Sequence, residues 1–344
     1  MLTADGSQVI GMGYKQGIAI WDANSGKLLS QLPVGEEGRP TKIAPDGKLV
    51  FVVRTKKSTI NPDLTGVRPE DMSAAFHKHA AFDQAELTLV DPKTGNIVRR
   101  LRDHQSRFRE AYFSNDGKFI VTTSDDGLVR CESIATGEVA VSYGTGGKPD
   151  TVEFSPDGKS LFVVPRNGSP LILPIDGSNK PTPFAGKWGE IYDGAFSPAS
   201  GNIMALHTDT GFHVMDRKTD KPTLSITGLQ ETDSQMRFSS DGNFLMLSLD
   251  GGNRFVVCEV TSGRPLYELY GGDRMGSSRY AYSETGGIIS ASFTTDALKV
   301  WETSKIPTTV SPDAKTFGTA AGAYRFTREP QADGSIVIKV KPRE

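Results

Sequence analysis

Short runs of alternating apolar and polar residues, each broken by a glycine-centred turn, follow one another along almost the whole chain. The break is recurrent: FSPDGKSLFVV at 154–164 is echoed by APDGKLVFVV at 44–53, FSNDGKFIVT at 113–122, FSPASGNIMA at 196–205, FSSDGNFLML at 238–247 and YSETGGIISA at 282–291, with a partial copy, LTADGSQVIG, at 2–11. Period-two alternation over strand length, bounded by turn residues, predicts strands. In the turn, proline presets φ, aspartate bonds back to its own backbone and glycine accepts the left-handed conformation. Each copy therefore reads as a tight turn between two antiparallel strands.

The turn glycines or their equivalents are Gly6, Gly47, Gly117, Gly158, Gly201, Gly242 and Gly286, spaced by 41, 70, 41, 43, 41 and 44 residues. The long interval marks an insertion, at about 55–85. A second signature follows each turn, an apolar residue and then an acid: Trp21-Asp22, Val90-Asp91, Ile175-Asp176, Met215-Asp216, Cys258-Glu259 and Trp301-Glu302. The third copy departs, with Glu132 and Ser133 in those places. A unit of about forty residues with two strands, an acid-marked third and a fourth apolar stretch is one four-stranded antiparallel blade. The chain thus predicts an all-β protein, a β-propeller of seven blades, at about 2–32, 41–101, 111–143, 151–184, 194–226, 235–269 and 279–305. The tail, 306–344, holds an early turn (SPDAKTFGTA) and a clean alternation (SIVIKVKP), and is expected to close the ring or to make a partial eighth blade. At 344 residues the length alone predicts about two domains. A repeat grows by adding units, so 1–344 reads as one propeller.

The SPDGK turns, the SDDG hairpin at 124–127 and the Trp-Asp and Trp-Glu pairs at Trp21 and Trp301 resemble the WD-repeat family of β-propellers, over about 2–305. The family's Gly-His dipeptide is absent, which points to a divergent, bacterial-like branch. The resemblance implies a scaffold that docks partners on the face carrying the blade-connecting loops and the hairpins between second and third strands.

Composition narrows the partner. Lys+Arg 39 against Asp+Glu 41 leaves a formal net charge of −2, so no global field gathers nucleic acid or an anionic membrane. The longest apolar runs, such as 49–53 and 161–164, are strand-sized, far below the roughly 18 residues of a membrane-spanning helix. The N-terminus has neither a basic leader nor a signal-length apolar core, and it begins almost inside a repeat, as a truncated start or a piece of a larger protein would. Cys131 and Cys258 fall on core strand positions of non-adjacent blades, so they read as buried free thiols, which favours a reducing, cytoplasmic compartment.

Chemistry is sparse. His77 and His79 in FHKH are an i, i+2 pair that a helix would point apart, without a third metal ligand at recognisable spacing. GGDRMGSS at 271–278 has phosphate-loop glycines but lacks the lysine and precedes a strand. The repeated acids share one repeated place, which is a turn-bonding job and not a unique site. No Ser-His-Asp, Cys-His or Gly-x-Ser-x-Gly arrangement can be assembled. No cofactor, metal or catalytic residue is expected.

The insertion and the segment after blade 2 carry more. RPEDMSAAFHKHAAF at 68–82 has Pro69 placed for a first helical turn, Glu70 and Asp71 at the positive end of the helix dipole, and Met72, Phe76 and Ala80 on one side. VRRLRDHQSRFRE at 98–110 contains Arg99, Arg100, Arg102, Arg107 and Arg109 around Phe108, and Lys56 and Lys57 sit in the insertion. Lys56, Lys57, Phe76, Arg102, Arg107, Phe108 and Arg109 are therefore the expected partner surface, taking a protein or an acidic or phosphorylated peptide through bidentate arginine contacts. The plain alternative is that the arginines face water and Phe108 plugs its loop into the core. The expected function is a non-enzymatic protein-binding scaffold, monomeric or part of a larger protein, using the loop rim of blades 2 and 3. The rival is small-molecule binding or catalysis at the central channel, lined by Arg39, Arg109, Asp150, Asp193 and Arg279.

Overall fold

The computed structural model describes residues 8–13, 17–22, 24–32, 38–55, 85–166, 168–184, 186, 188–228, 236–239, 241–249, 254–263, 265–270, 278–282, 288–292, 298–301, 316–317, 324–332 and 336–342. Among these the chain forms strands that pair in consecutive antiparallel sheets, here called blades. Blade 1 holds β1 (Gln8–Gly13), β2 (Gly17–Asp22) and β3 (Leu28–Leu32); blade 2 holds β4 (Gly38–Ile43), β5 (Val50–Thr55), β6 (Ala85–Val90) and β7 (Ile97–Arg100). Blade 3 holds β8 (Phe108–Phe113), β9 (Phe119–Ser124), β10 (Leu128–Ser133) and β11 (Val139–Gly144); blade 4 holds β12 (Pro149–Phe154), β13 (Ser160–Pro165), β14 (Leu171–Pro174) and β15 (Thr182–Pro183). Blade 5 holds β16 (Ile191–Ser197), β17 (Ser200–Thr208), β18 (Gly211–Asp216) and β19 (Lys221–Thr227); blade 6 holds β20 (Met236–Phe238), β21 (Phe244–Leu249), β22 (Arg254–Glu259) and β23 (Pro265–Tyr270). Blade 7 holds β24 (Ser278–Tyr282), β25 (Ile288–Ser292) and β26 (Leu298–Trp301), and the tail supplies β27 (Thr316–Phe317), β28 (Tyr324–Pro330) and β29 (Ile336–Pro342).

The chain divides into two compact units, Met1–Phe154 with Gly158–Thr182, and Ser155–Asp157 with Pro183–Glu344. In the first, the strand pleat explains the apolar run of β5. Val50 and Val52 pack on Ile10, Ile18 and Ile20 of blade 1, while Phe51 and Val53 point the other way, to Ala111 and Ile120 of blade 3. Blade 3 repeats the device, placing Val121, Val129 and Cys131 against Val152, Phe154 and Leu161 of blade 4. In the second unit Phe212, Val214 and Ile226 of blade 5 meet Met236, Leu247 and Cys258 of blade 6. A strand buried on both faces must be apolar at successive positions, and each such Val or Phe contributes about 1.5–3 kcal/mol of transfer free energy.

The recurrent turn has a recurrent bond set. Gly47, Gly117, Gly158 and Gly242 have φ of 71, 68, 67 and 72°; where serine opens the turn the aspartate before the glycine accepts from it, Asp116 from Ser114 (2.7 Å), Asp157 from Ser155 (2.7 Å) and Asp241 from Ser239 (2.6 Å), whereas Ala44 opens the Gly47 turn and Asp46 accepts from Lys48 N (3.0 Å). Gly201 departs from the pattern: it lies inside β17, because the fifth copy turns tightly between Ser197 and Ser200, a paired register position.

The acid at the end of the strand before each blade's outer strand bonds its own turn. Asp22 accepts from Ser25 N (2.7 Å), Asp91 from Lys93 N (2.7 Å), Asp176 from Ser178 N (2.9 Å) and Asp216 from Lys218 N (2.8 Å). In blade 3 the hydroxyl of Ser133 takes this role for Thr136 N (3.2 Å), and Glu132 is free to turn inward. In the tail, among the described residues, β29 runs parallel to β19, and the sheet order is β16-β17-β18-β19-β29-β28-β27.

Candidate functional site

The loop between β7 and β8 carries the described part of the expected surface. Arg102 and Arg107 are exposed. Phe108 is half-buried, its ring 5.5 Å from that of Phe51 at 47°, within the cluster that joins blades 2 and 3. Arg109 forms an ion pair with Asp125, both about one-third exposed at 33% and 31%. The Asp125 amide in turn donates to the Arg107 carbonyl at 2.9 Å, which fixes the loop against the β9–β10 hairpin. Arg102 and Arg107 thus face solvent, while Phe108 and Arg109 are engaged by the blade. Lys56, Lys57 and Phe76, with the rest of the stretch joining β5 to β6, lie outside the described residues, as do His77, His79 and 271–277.

Beneath this loop sits a polar group that residue-type spacing did not single out. Glu132, 2% exposed on β10, accepts from the Arg102 amide at 3.3 Å. Burial raises its carboxyl above the ordinary glutamate range, opposed by that bond and by the nearby charges of Arg130, Arg102 and Arg99. Arg130 donates to the carbonyls of Arg102 (3.0 Å) and Asp103 (3.1 Å), and Arg99 to those of Ile134 (2.7 Å) and Ala135 (2.6 Å). These bonds tie the end of blade 2 to blade 3 at several carbonyls. His104, 7% exposed, bonds the Thr122 hydroxyl at 2.8 Å. Burial, with Arg130 adding to it and Asp126 opposing, lowers its pKa to about 4, so the ring is neutral at pH 7. A polar histidine–threonine contact therefore exists in blade 3 without the Gly-His dipeptide. The signal in the sequence was Glu132 itself, the one acid displaced from the repeat's register.

Among the described residues, charges at the starts of first strands have partners within their own blade. Asp150 accepts a bidentate pair from Arg166 (2.8 and 2.9 Å), with Lys148 at 3.9 Å, and Arg109 pairs with Asp125. Asp193 is half-buried and accepts from the Gly194 amide at 2.9 Å. The side chains of Arg39 and Arg279 lie outside the described residues. Cys131 and Cys258 are buried free thiols whose pKa burial pushes up to about 12, which makes them poor nucleophiles. Among the described residues no three His, Cys, Asp or Glu side chains converge as metal ligands.

Comparison with solved structures shows likeness to the computationally designed Ika8 protein, with a TM-score of 0.60, 18% identity and coverage of 86% of this chain and 80% of that one. The fold is a β-propeller. The propeller chain matches no family model. Among curated proteins it is similar to the U3 small nucleolar RNA-associated protein 21 homolog of Schizosaccharomyces pombe, 27% identical over 147 residues, 43% of this chain and 13% of that protein. It is also similar to the U3 small nucleolar RNA-associated protein 21 of Saccharomyces cerevisiae, 28% identical over 93 residues, 27% and 10% of the two chains. The matched stretch therefore spans about a tenth of each yeast relative.

Proposed function

We propose that this WD-like propeller is a non-enzymatic scaffold that binds an acidic or phosphorylated segment of a partner protein on the loop rim of blades 2 and 3. One observation carries the reading. Arg102 and Arg107 are exposed on a loop whose backbone is held from below by Glu132 and Arg130 and from the side by Asp125. A backbone already fixed spares the ordering cost of the loop on docking, and each guanidinium offers a fork of donors that matches carboxylate or phosphate. Lys56, Lys57 and Phe76 of the insertion complete the surface in this reading, and Phe108 and Arg109 support it from within. The yeast relatives are named for association with an RNA. For this chain the partner we infer is protein, because the formal net charge is −2 and aromatic residues are not interleaved with the basic run beyond Phe108.

The test is binding of the full chain to an array of acidic and phosphoserine peptides, beside an Arg102→Glu/Arg107→Glu variant whose fold is checked by circular dichroism. Loss of the captured peptides in the folded variant is the expected result. Identical capture by both proteins would remove the rim from consideration.

A further inference from the structure

The loop that leads from blade 3 into blade 4, Gly144-Thr145-Gly146-Gly147-Lys148, is anchored by backbone on both sides. Thr145 N donates to the Gly127 carbonyl of the β9–β10 hairpin at 2.9 Å, and Arg166 N, just past β13, donates to the Lys148 carbonyl at 2.7 Å. The Thr145 hydroxyl lies 2.9 Å from the Gly127 carbonyl and also meets that of Gly147. The anchors leave no room for side chains. A Cβ on Gly127 would stand 2.7 Å from the Gly147 oxygen, and one on Gly147 would stand 2.9 Å from the Arg166 oxygen.

Between the anchors the loop opens to solvent. Gly146 is exposed with φ of 75°, and a Cβ there would meet nothing within 4 Å. Positive φ in a loop lets successive amides turn toward one side, the concavity that receives anions. Among the described residues the amides of Gly146 and Gly147 donate to no protein group. Beside them stand two cations and one carboxylate: Lys148 lies 3.9 Å from Asp150, which Arg166 already holds in a bidentate pair. These three side chains carry a formal excess of one positive charge, and that of Lys148 is partly exposed. The acids of the neighbouring hairpin are engaged, Asp125 by Arg109 and Asp126 by the Ser124 hydroxyl (2.6 Å) and Leu128 N (3.1 Å).

We propose that the Gly144–Lys148 loop is a phosphate-binding site. The amides of Gly146 and Gly147 donate to phosphate oxygens, the Lys148 ammonium supplies the charge, and Arg166 keeps the Asp150 carboxylate occupied. Phosphate presents three acceptor oxygens, one for each of these three donors, where a carboxylate presents two. Backbone amides and an ammonium make charge-assisted bonds to such an anion, and the anchored loop needs little ordering to offer them. The β9–β10 hairpin separates this site from the rim loop: Asp125 N donates to the Arg107 carbonyl on one side, and Gly127 accepts from Thr145 on the other. Neither Arg102 nor Arg107 takes part, so the two readings fail separately.

The test is an amide chemical-shift titration of the isotope-labelled full chain at neutral pH with sodium phosphate, against sodium chloride at equal ionic strength. Saturable movement of the Gly146 and Gly147 amides with phosphate, and none with chloride, is the expected result. Lys148→Gln should weaken that affinity about tenfold, the size of one charged hydrogen bond, and Lys148→Arg, which keeps the charge, by about twofold or less. The Arg102→Glu/Arg107→Glu variant should bind phosphate at these amides as the unaltered chain does. Equal movement with both salts, or a phosphate affinity that Lys148→Gln leaves unchanged, would overturn the proposal. If Lys148→Gln does not fold, the comparison of the two salts on the unaltered chain decides alone. A phosphoserine peptide in place of the salt distinguishes the sources of the group. Saturation of the same amides at lower concentration than inorganic phosphate places the phosphate on a partner protein, whereas movement with inorganic phosphate alone assigns the site to a small phosphate compound; either outcome keeps the site.

Discussion

Arg109 and Asp125 face each other across the first two strands of blade 3, and the residues at the same offset in blade 4, Asp150 and Arg166, form the same pair with the charges exchanged. The offset is 16 residues in both, because the two strands and the SxDG turn between them are of equal length in each blade. The pairs therefore follow from strand register, and swapping the members of one should preserve it. Arg109→Asp places two carboxylates together and is expected to lower stability by about 1 kcal/mol or less at this half-exposed site. Arg109→Asp/Asp125→Arg is expected to recover most of the loss in urea denaturation. A double variant weaker than the single one would show that Arg109 acts through something other than Asp125.

Phe108 should behave as packing. Its ring meets Phe51, which is fully buried, in the cluster shared by blades 2 and 3. Phe108→Ala is expected to cost about 2 kcal/mol, below the 3–5 of a fully buried phenylalanine because one side of the ring meets solvent. Its peptide capture should match the unaltered chain at temperatures well below its melting point. Unchanged stability with lost capture would return Phe108 to the partner surface.

Much of this architecture is legible in the residues and some is not, for identifiable reasons. The turn glycines and the acids after third strands announce themselves because each makes a local bond within two or three positions, as Asp116 does with Lys118 N and Asp91 with Lys93 N. The double-sided burial of β5 is visible as VFVV. What the residues leave open is which edge a strand will join. SIVIKVKP alternates as a strand wherever it docks, and its place beside β19 depends on tertiary packing alone. In the rim, a basic run read along the chain treats all arginines alike. Only the register separates Arg109, opposite Asp125, from Arg102 and Arg107, which face solvent.

The pH dependence of stability has a signed expectation at two buried histidines. His104 and His213 both have pKa values lowered to about 4, chiefly by burial. His213 is held by Ser225 at Nδ1 (2.9 Å) and Thr210 at Nε2 (2.9 Å). The unfolded chain protonates these rings near pH 6.5, so between 6.5 and 4 it binds protons that the folded chain refuses. Stability is complete above 6.5 and falls as pH drops toward 4. Glu132, with its pKa raised, contributes in the opposite sense above the ordinary glutamate value. The clean measurement is a difference: His104→Gln should shallow the fall in urea midpoint from pH 7 to pH 5 relative to the unaltered chain. An unchanged slope would show that His104 does not titrate on unfolding.

Glu132 connects the fold to the rim. It is the acid that left the repeated turn position, and its carboxylate lies under the Arg102 amide within the field of Arg99 and Arg130. Glu132→Ala leaves the Arg102 amide without its acceptor and empties the space of a buried side chain, and is expected to lower stability by about 1–3 kcal/mol. Glu132→Gln keeps an acceptor for the amide and should cost less. The two should also separate in function. With the acceptor gone, the Arg102 amide is expected to exchange hydrogen faster, and peptide capture should weaken although Arg102 and Arg107 are both present, because the loop backbone must then be ordered on binding. Faster exchange at Arg102 without weaker capture would mean that the loop's fixed backbone is irrelevant to docking, and that the two arginines act as free surface charges.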